Sequence, residues 1–243
     1  MIQPLLLMAL PAAAGFMLYK NRRDRELRQK ELAYRARVSE LEMKALRLQM
    51  NPHFIFNALN SVNDCISKHE TATASYFLVK FARLMRMVLE NAEETEITLA
   101  SELELLHLYL QLESLRLRNN FTYQIMVDDA INPETTMVPP LMLQPFVENS
   151  IWHGIGQKPC NGRITVRIVR ENGMIACIVK DNGVGRGKTT GVAAPGKNPM
   201  GLKITRQRID MINAVKSNNA SISVEDLPEG TRVELKLPLE LKY

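Results

Sequence analysis

Cysteine is scarce. Cys65, Cys160 and Cys177 stand far apart in 243 residues and no CxxC pair occurs. This spacing argues against a disulfide framework and a cysteine-built zinc site, and it fits a reducing compartment. Charge is missing from Ile2–Tyr19, eighteen residues without Asp, Glu, Lys or Arg. As a helix that run is about 27 Å long, enough to cross a thin hydrocarbon core. No basic residue precedes it and no convincing cleavage site follows, which speaks against a removable signal peptide. Few residues lie ahead of the run, so no extracellular sensor is expected in this chain. No internal repeat is visible.

What is present begins with basic charge. The net charge of +5 is mostly local: Lys20, Arg22, Arg23, Arg25, Arg28 and Lys30 stand against Asp24 and Glu26. A basic flank directly after an apolar run predicts a single membrane anchor whose C-terminal side is cytoplasmic. Such clustering suits phospholipid better than nucleic acid, and no direct nucleic-acid binding is expected. A hydrophobic content of 46% and a charged content of 23% are ordinary for a globular protein. The length admits one large domain or two modest ones.

From Asn21 to about Lys68 the pattern predicts one long helix. Leu27, Tyr34, Leu41 and Leu48 recur every seven residues, and Val38 and Ala45 interleave. The frame continues through Ile55, Leu59, Val62 and Ile66, while Glu31 at a seam position weakens it. Pro52 removes a donor and crowds the carbonyl four residues back, so a bend or restart is expected there. In this frame His53 faces outward. A neutral imidazole is a competent nucleophile near neutral pH. Asn51-Pro52 is equally an N-cap and first-turn proline, with His53 then an ordinary surface histidine. No acidic residue follows His53, so no neighbouring carboxylate base is evident.

After a polar break at His69-Glu70-Thr71, Tyr76–Asn91 spaces Phe77, Phe81, Leu84 and Val88 as one helix face. Two antiparallel helices with one apolar face each pair into a four-helix bundle when two chains meet. Ser101-Glu102-Leu103-Glu104 has the capping-box pattern and predicts a third helix to about Arg118. Phe121–Val127 alternates as a strand, and Pro139-Pro140 opens a helix to about Ile155. Arg163–Arg170 and Met174–Val179 read as strands joined by a type I′ turn at Asn172-Gly173. The second of these is continuously apolar, as in a central strand. Lys180–Met200 is glycine-rich and irregular, Gly201–Lys216 is helical, and Ser221–Glu225 with Thr231–Leu237 makes a final hairpin. The fold class is α+β, a mixed sheet with helices on one side.

Three pieces of the second half carry chemistry. They are Glu148-Asn149-Ser150-Ile151-Trp152-His153-Gly154, Asp181-Asn182-Gly183-Val184-Gly185, and Gly201-Leu202. An aspartate at a strand's end accepts a hydrogen bond from a purine's exocyclic amine, while glycines let the base lie against the backbone. A helix start after a loose loop offers free N–H groups to phosphate. An asparagine oxygen is a hard ligand suited to Mg²⁺.

The stretches NPHFIFNALN at 51–60, YLQLESLR at 109–116, LQPFVEN at 143–149, DNGVG at 181–185 and EGTRVELKLP at 229–238 resemble the bacterial sensor histidine kinases of the LytS/YehU type. The ATPase domain of that family has the GHKL (Bergerat) fold, and the likeness runs from about Leu46 to Leu237. After the anchor at 1–20 and a coiled-coil linker at 21–50, it implies a dimerisation and phosphoacceptor helical hairpin at 51–97 and an ATP-binding α/β sandwich at 98–243. His53 would be the phosphoacceptor, with Asn57 orienting the imidazole or the phosphoryl group, or serving only as helix surface. Asn149 would hold Mg²⁺ and Asp181 would recognise adenine. Gly183, Gly185 and Gly201 would shape the pocket and its lid, with His153, Leu202 and Thr231 also in the ATP-binding set. The resemblance further implies a homodimer in the bacterial inner membrane that passes phosphate to a response regulator of the LytTR type.

Three positions depart from the pattern. Trp152 stands where the family commonly has lysine, Pro199 replaces a glycine of the second glycine box, and Ile204 replaces an asparagine. Lys188, Lys197 or Lys203 would then have to supply the charge for phosphate. Arg116 with Glu113 reads as a helix salt pair, and Arg83 and Arg86 as bundle surface. The rival readings are a non-catalytic nucleotide-binding dimer and an ATPase without a phosphohistidine.

Overall fold

The computed structural model describes residues 16, 17, 19–25, 28, 52–118, 120–157, 161–185, 200–216 and 220–241. The chain divides into two compact units, Met1–Leu46 and Arg47–Tyr243. In the first unit the described residues are helical and exposed. Among the described residues no helix is long and apolar enough to cross a membrane. Most of the expected anchor Ile2–Tyr19 and of the expected coiled coil at 21–50 lies outside the described residues, as do Lys188, Lys197 and Pro199.

The second unit opens with α1 (Pro52–Ser67) and α2 (Thr71–Glu93). A proline is tolerated in a helix's first turn, where its missing N–H has no partner to lose. The chain reverses through His69, whose φ is +61°. On α1 the buried stripe is Phe54, Ala58 and Val62, while Phe56, Leu59 and Ile66 are exposed. The seven-residue frame is therefore split, with Val62 inside and Leu59 and Ile66 outside. The reason is packing within the chain: the Phe54 ring lies 6.1 Å from Phe81 and 5.0 Å from Tyr109. On α2, Phe77, Leu84 and Val88 are buried with Phe81 against them, as their spacing predicts. Leu78, Val79 and Leu89 of α2 remain exposed.

A short strand, β1 (Ile97–Thr98), leads into α3 (Leu99–Arg116). The helix is capped by Thr98, whose hydroxyl oxygen accepts from the Ser101 N–H at 3.2 Å. The Ser101–Glu104 capping box is thus not the start. Glu104 pairs with Arg83, and Glu102 turns inward to accept from the N–H groups of Leu141 and Leu143 at 2.8 and 3.0 Å. That capture explains a second difference. Leu141 adopts φ +57°, so no helix starts at Pro139-Pro140. Instead α4 (Gln144–Asn149) is followed by a wide turn at Ser150–Gly154 and a tight one at Ile155–Gln157.

The main sheet has the order β2-β4-β5-β7-β6, built from β2 (Phe121–Val127), β4 (Gly162–Glu171), β5 (Met174–Asp181), β6 (Ser221–Asp226) and β7 (Thr231–Pro238). The apolar β5 is central, as its composition predicts. β2 runs parallel to β4 and the other neighbours are antiparallel. Asn172 and Gly173, at φ +49° and +78°, make the left-handed pair that a type I′ hairpin requires. A small sheet joins β1, β3 (Thr136–Val138) and β8 (Glu240–Leu241). One face of the main sheet, with Ile164, Val166, Cys177, Val179 and Leu235, shares a core with Leu105 and Leu112 of α3 and Phe146 of α4. A last helix, α5 (Met200–Lys216), precedes β6. The layered α/β arrangement expected from the sequence is the one that forms.

Candidate functional site

Asp181 ends β5 and is 3% exposed. Its Oδ2 accepts from the Ser150 hydroxyl at 3.0 Å and its Oδ1 from the Gly183 N–H at 2.8 Å. Three backbone segments crowd this group. A Cβ on Gly183 would stand 2.3 Å from the Gly154 Cα, one on Gly154 2.9 Å from Asp181 Oδ1, and one on Gly230 2.0 Å from the Asp181 carbonyl oxygen. Any side chain there would collide with the neighbouring backbone or with Asp181 itself. The turn after Asp181 is pinned by Asn182, which accepts from the Arg163 N–H at 2.7 Å and donates to the Asn161 carbonyl at 3.0 Å.

Residues 150 and 154, at the two ends of the wide turn, both meet Asp181. Such turns occur preferentially at functional sites. Ser150, Gly154 and Gly230 belong to the cradle; they lie in the stretches 148–154 and 229–238, but the sequence assigns them no role of their own. A serine following an asparagine carries no pattern of its own, whereas Gly230 sits in the EGT stretch ahead of β7.

Asp181 and Gly183 come together in the cradle. Gly185 (φ +74°) is within reach of the Gly230 carbonyl, and Thr231 follows Gly230 at the start of β7. Asn149 closes α4 immediately before Ser150, and its Nδ2 is buried with no hydrogen-bond partner among the described residues. His153 is exposed on the wide turn. Gly201 and Leu202 lie in the first turn of α5, where only the backbone is described. His53 lies in the first turn of α1, also described only in its backbone. Asn57, one turn on, is half-buried with an unpartnered Nδ2. It borders a cleft of about 480 Å³ together with Asp64, Lys68, Arg116 and Arg118. None of Asn149, Asp181 and Gly183 lines that cleft.

Between the two places stands an aromatic and ionic cluster. The Arg116 guanidinium lies 4.4 Å from the centre of the Trp152 ring. It also donates to Glu113, Nε to both carboxylate oxygens at 3.1 Å and Nη2 to Oε2 at 2.7 Å. The Glu113 side chain is 1% exposed and that of Arg116 17%, so this is a buried pair rather than a surface one. Tyr109 is wholly buried beside them. Burial, then the carboxylates of Glu148 and Glu113, push its phenol well above its usual range, while Trp152 and Arg116 pull it back.

Residues 41–121 match the family model for histidine kinases. The sensor protein LytS of Enterococcus faecalis is 31% identical over 212 residues, which is 84% of this chain and 35% of that protein. The sensor histidine kinase BtsS of Escherichia coli is 31% identical over 211 residues, 84% of this chain and 34% of its own length. This chain is a relative of the LytS-type sensor histidine kinases. It spans only about a third of the length of these two kinases, and a quarter of LytS from Bacillus cereus. Among solved structures, the histidine kinase domain of the blue-light activated kinase of Erythrobacter litoralis aligns at a TM-score of 0.46 and 16% identity, over 66% of this chain and 75% of that one.

Proposed function

We propose that this LytS relative phosphorylates His53 from ATP and passes the phosphoryl group to an aspartate of a response regulator. The observation that carries the reading is the Asp181 cradle, set beside the buried, unpartnered amide of Asn149 in the same compact unit as α1 with His53. The residues fit a nucleotide of the GHKL type. Asp181 is held at the end of β5 by Ser150 and Gly183, where a carboxylate suits an exocyclic amine, and Gly154, Gly183 and Gly230 let the backbone close around it with no side chain between. The Asn149 amide is two-ended, so a half-turn of its last torsion offers either an oxygen or an N–H. Its oxygen suits Mg²⁺, which takes its remaining ligands from phosphate and water. ATP supplies the phosphoryl group and Mg²⁺ the neutralising charge.

The remaining work falls to positioning. The opening turn of α5, with Gly201 and Leu202, presents backbone N–H groups suited to phosphate. Thr231 and His153 flank the cradle. His53 takes the group on a ring nitrogen, and Asn57 orients the ring. Exposed Leu59 and Ile66 of α1 and Leu78, Val79 and Leu89 of α2 form an apolar face. A second copy's hairpin would cover it in a four-helix bundle. Ile2–Tyr19 would anchor the dimer in the bacterial inner membrane, and the regulator would be of the LytTR type.

The test incubates the full chain with γ-labelled ATP and Mg²⁺ beside His53→Gln, Asn149→Ala and Asp181→Asn. Acid-labile, alkali-stable label is expected on the parent and on none of the variants. Label on His53→Gln equal to the parent would remove His53 as acceptor. Nucleotide binding without any label would favour a non-catalytic partner-binding dimer.

A further inference from the structure

The cluster around Arg116 has no part in the chemistry above, yet it lies between the two elements that chemistry needs. Phe54 is next in the chain to His53, and its ring packs on Tyr109 of α3. Tyr109 lies beside Trp152, which stands three residues after Asn149. Arg116, two turns further along α3, stacks on the Trp152 ring and forks onto the buried Glu113 carboxylate. It also borders the cleft shared with Asn57 of α1. A planar guanidinium held by an indole face and a carboxylate fork has little rotamer freedom left. It therefore acts as a strut, where a lysine would act as a tether.

We propose that Arg116 is a positioning residue that fixes the Asn149 turn against α3, and so sets the phosphate end of a bound nucleotide relative to α1 and His53. The proposal rests on the reading of Asn149 and His53 as nucleotide and acceptor residues. Trp152 thereby has a task that a lysine at its position would not perform: it is the plate on which the strut sits.

Removing the cation outright would leave Glu113 as an uncompensated buried charge, so milder changes are used. Arg116→Lys keeps the charge and loses the plane. Trp152→Leu removes the plate, and Trp152→Phe keeps an aromatic face. In the full chain, Arg116→Lys and Trp152→Leu are expected to label His53 about tenfold more slowly at saturating MgATP, with affinity for MgATP within about twofold of the parent. Trp152→Phe should retain at least about half the parental rate. Parental rates in Arg116→Lys, equal losses in Trp152→Phe and Trp152→Leu, or affinity falling in step with rate would each overturn the proposal.

Trp152 is the only tryptophan of the chain, and its emission gives a readout independent of phosphorylation. A spectral change on MgATP binding is expected in the parent and should be lost in Arg116→Lys, although nucleotide still binds. If the parent binds MgATP and never becomes labelled, the acceptor reading fails and emission alone decides the strut. An equal change in both proteins, or none in the parent, sinks it. A parent that binds no MgATP ends both readings.

Discussion

Gly173 and Gly183 are the same residue type under different constraints. Gly173 has φ +78° and open space around its Cα, so alanine there meets only the left-handed backbone cost of about 1–2 kcal/mol. Alanine at Gly183 would drive a Cβ to 2.3 Å from the Gly154 Cα. Overpacking against backbone costs roughly 1–3 kcal/mol or more, and it deforms the cradle. Urea unfolding with nucleotide titration should find Gly173→Ala slightly weakened with full nucleotide affinity. Gly183→Ala should lose affinity altogether, and equal affinities in the two variants would contradict the cradle. The cysteines differ as sharply. Burial, with the nearby Glu102 carboxylate, pushes the Cys177 thiol up to about 12, so at neutral pH its reactive thiolate is almost absent. Peptide mapping after alkylation should find half-buried Cys65 modified in the native protein and Cys177 modified only as the fold opens.

At the level of elements, Glu102 holds the loop ahead of α4 by accepting from Leu141 and Leu143, while Arg208 of α5 donates to the carbonyls of Pro140 and Leu141. Burial raises the Glu102 carboxyl above its ordinary 4.5, against the pull of those N–H groups and of Arg208. A carboxyl raised on folding adds stability below its unfolded value and loses it as pH climbs through the folded one. The melting-temperature advantage of the parent over Glu102→Gln should therefore shrink as pH rises above about 4.5. An advantage that grows with pH would mean that the ionised form is the one favoured by folding. On α1, Phe54→Ala removes the ring packed on Phe81 and Tyr109 and should cost about 3–5 kcal/mol. Leu59→Gln with Val79→Gln, on the exposed face, should leave single-chain stability within about 1 kcal/mol of the parent. The same pair should weaken self-association in sedimentation equilibrium. Unchanged association would leave the hairpin face without its proposed role.

The longer strands were legible because half-buried alternation and a continuous apolar run are strong local signals, and Asn172-Gly173 admits few other turns. The strands β1, β3 and β8 have two or three residues each, too few for alternation to register. The seven-residue frame placed Val62 on one seam with Leu59 and Ile66, whereas α1 buries its Phe54–Ala58–Val62 stripe against its own chain and leaves Leu59 and Ile66 exposed. The helix expected from Pro139 starts only at Gln144 for a reason no local pattern holds, a carboxylate arriving from thirty-nine residues earlier. Asp181 and Gly183 stood out at a strand's end. Ser150 and the burial of the Arg116–Glu113 pair depended on which segments meet.

For the whole molecule, one continuous core runs from Phe54 and Phe77 through α3 to the sheet residues Val166, Val179 and Leu235. Unfolding of Arg47–Tyr243 should be cooperative, and nucleotide should stabilise it as one body. At a hundredfold excess of MgATP over its dissociation constant the expected gain is about 2.7 kcal/mol, read as a rise in melting temperature. Asp181→Asn should abolish that rise.

The pairing of β2 with β4 has a consequence for this cooperativity. Because the two strands are parallel, from Phe121↔Gly162 to Val127↔Ile168, the chain between them is drawn shut like a purse whose string is β2. Inside the purse lie Asn149, Ser150 and Gly154, one wall of the cradle. The string runs along the rim of the sheet, where among the described residues β2 has a neighbour on one side only. Loosening that rim strand slackens the wall all at once while β5 and Asp181 stay put. Amides of 141–157 should then exchange with deuterium in step with those of β2, and ahead of those of β5 and β7.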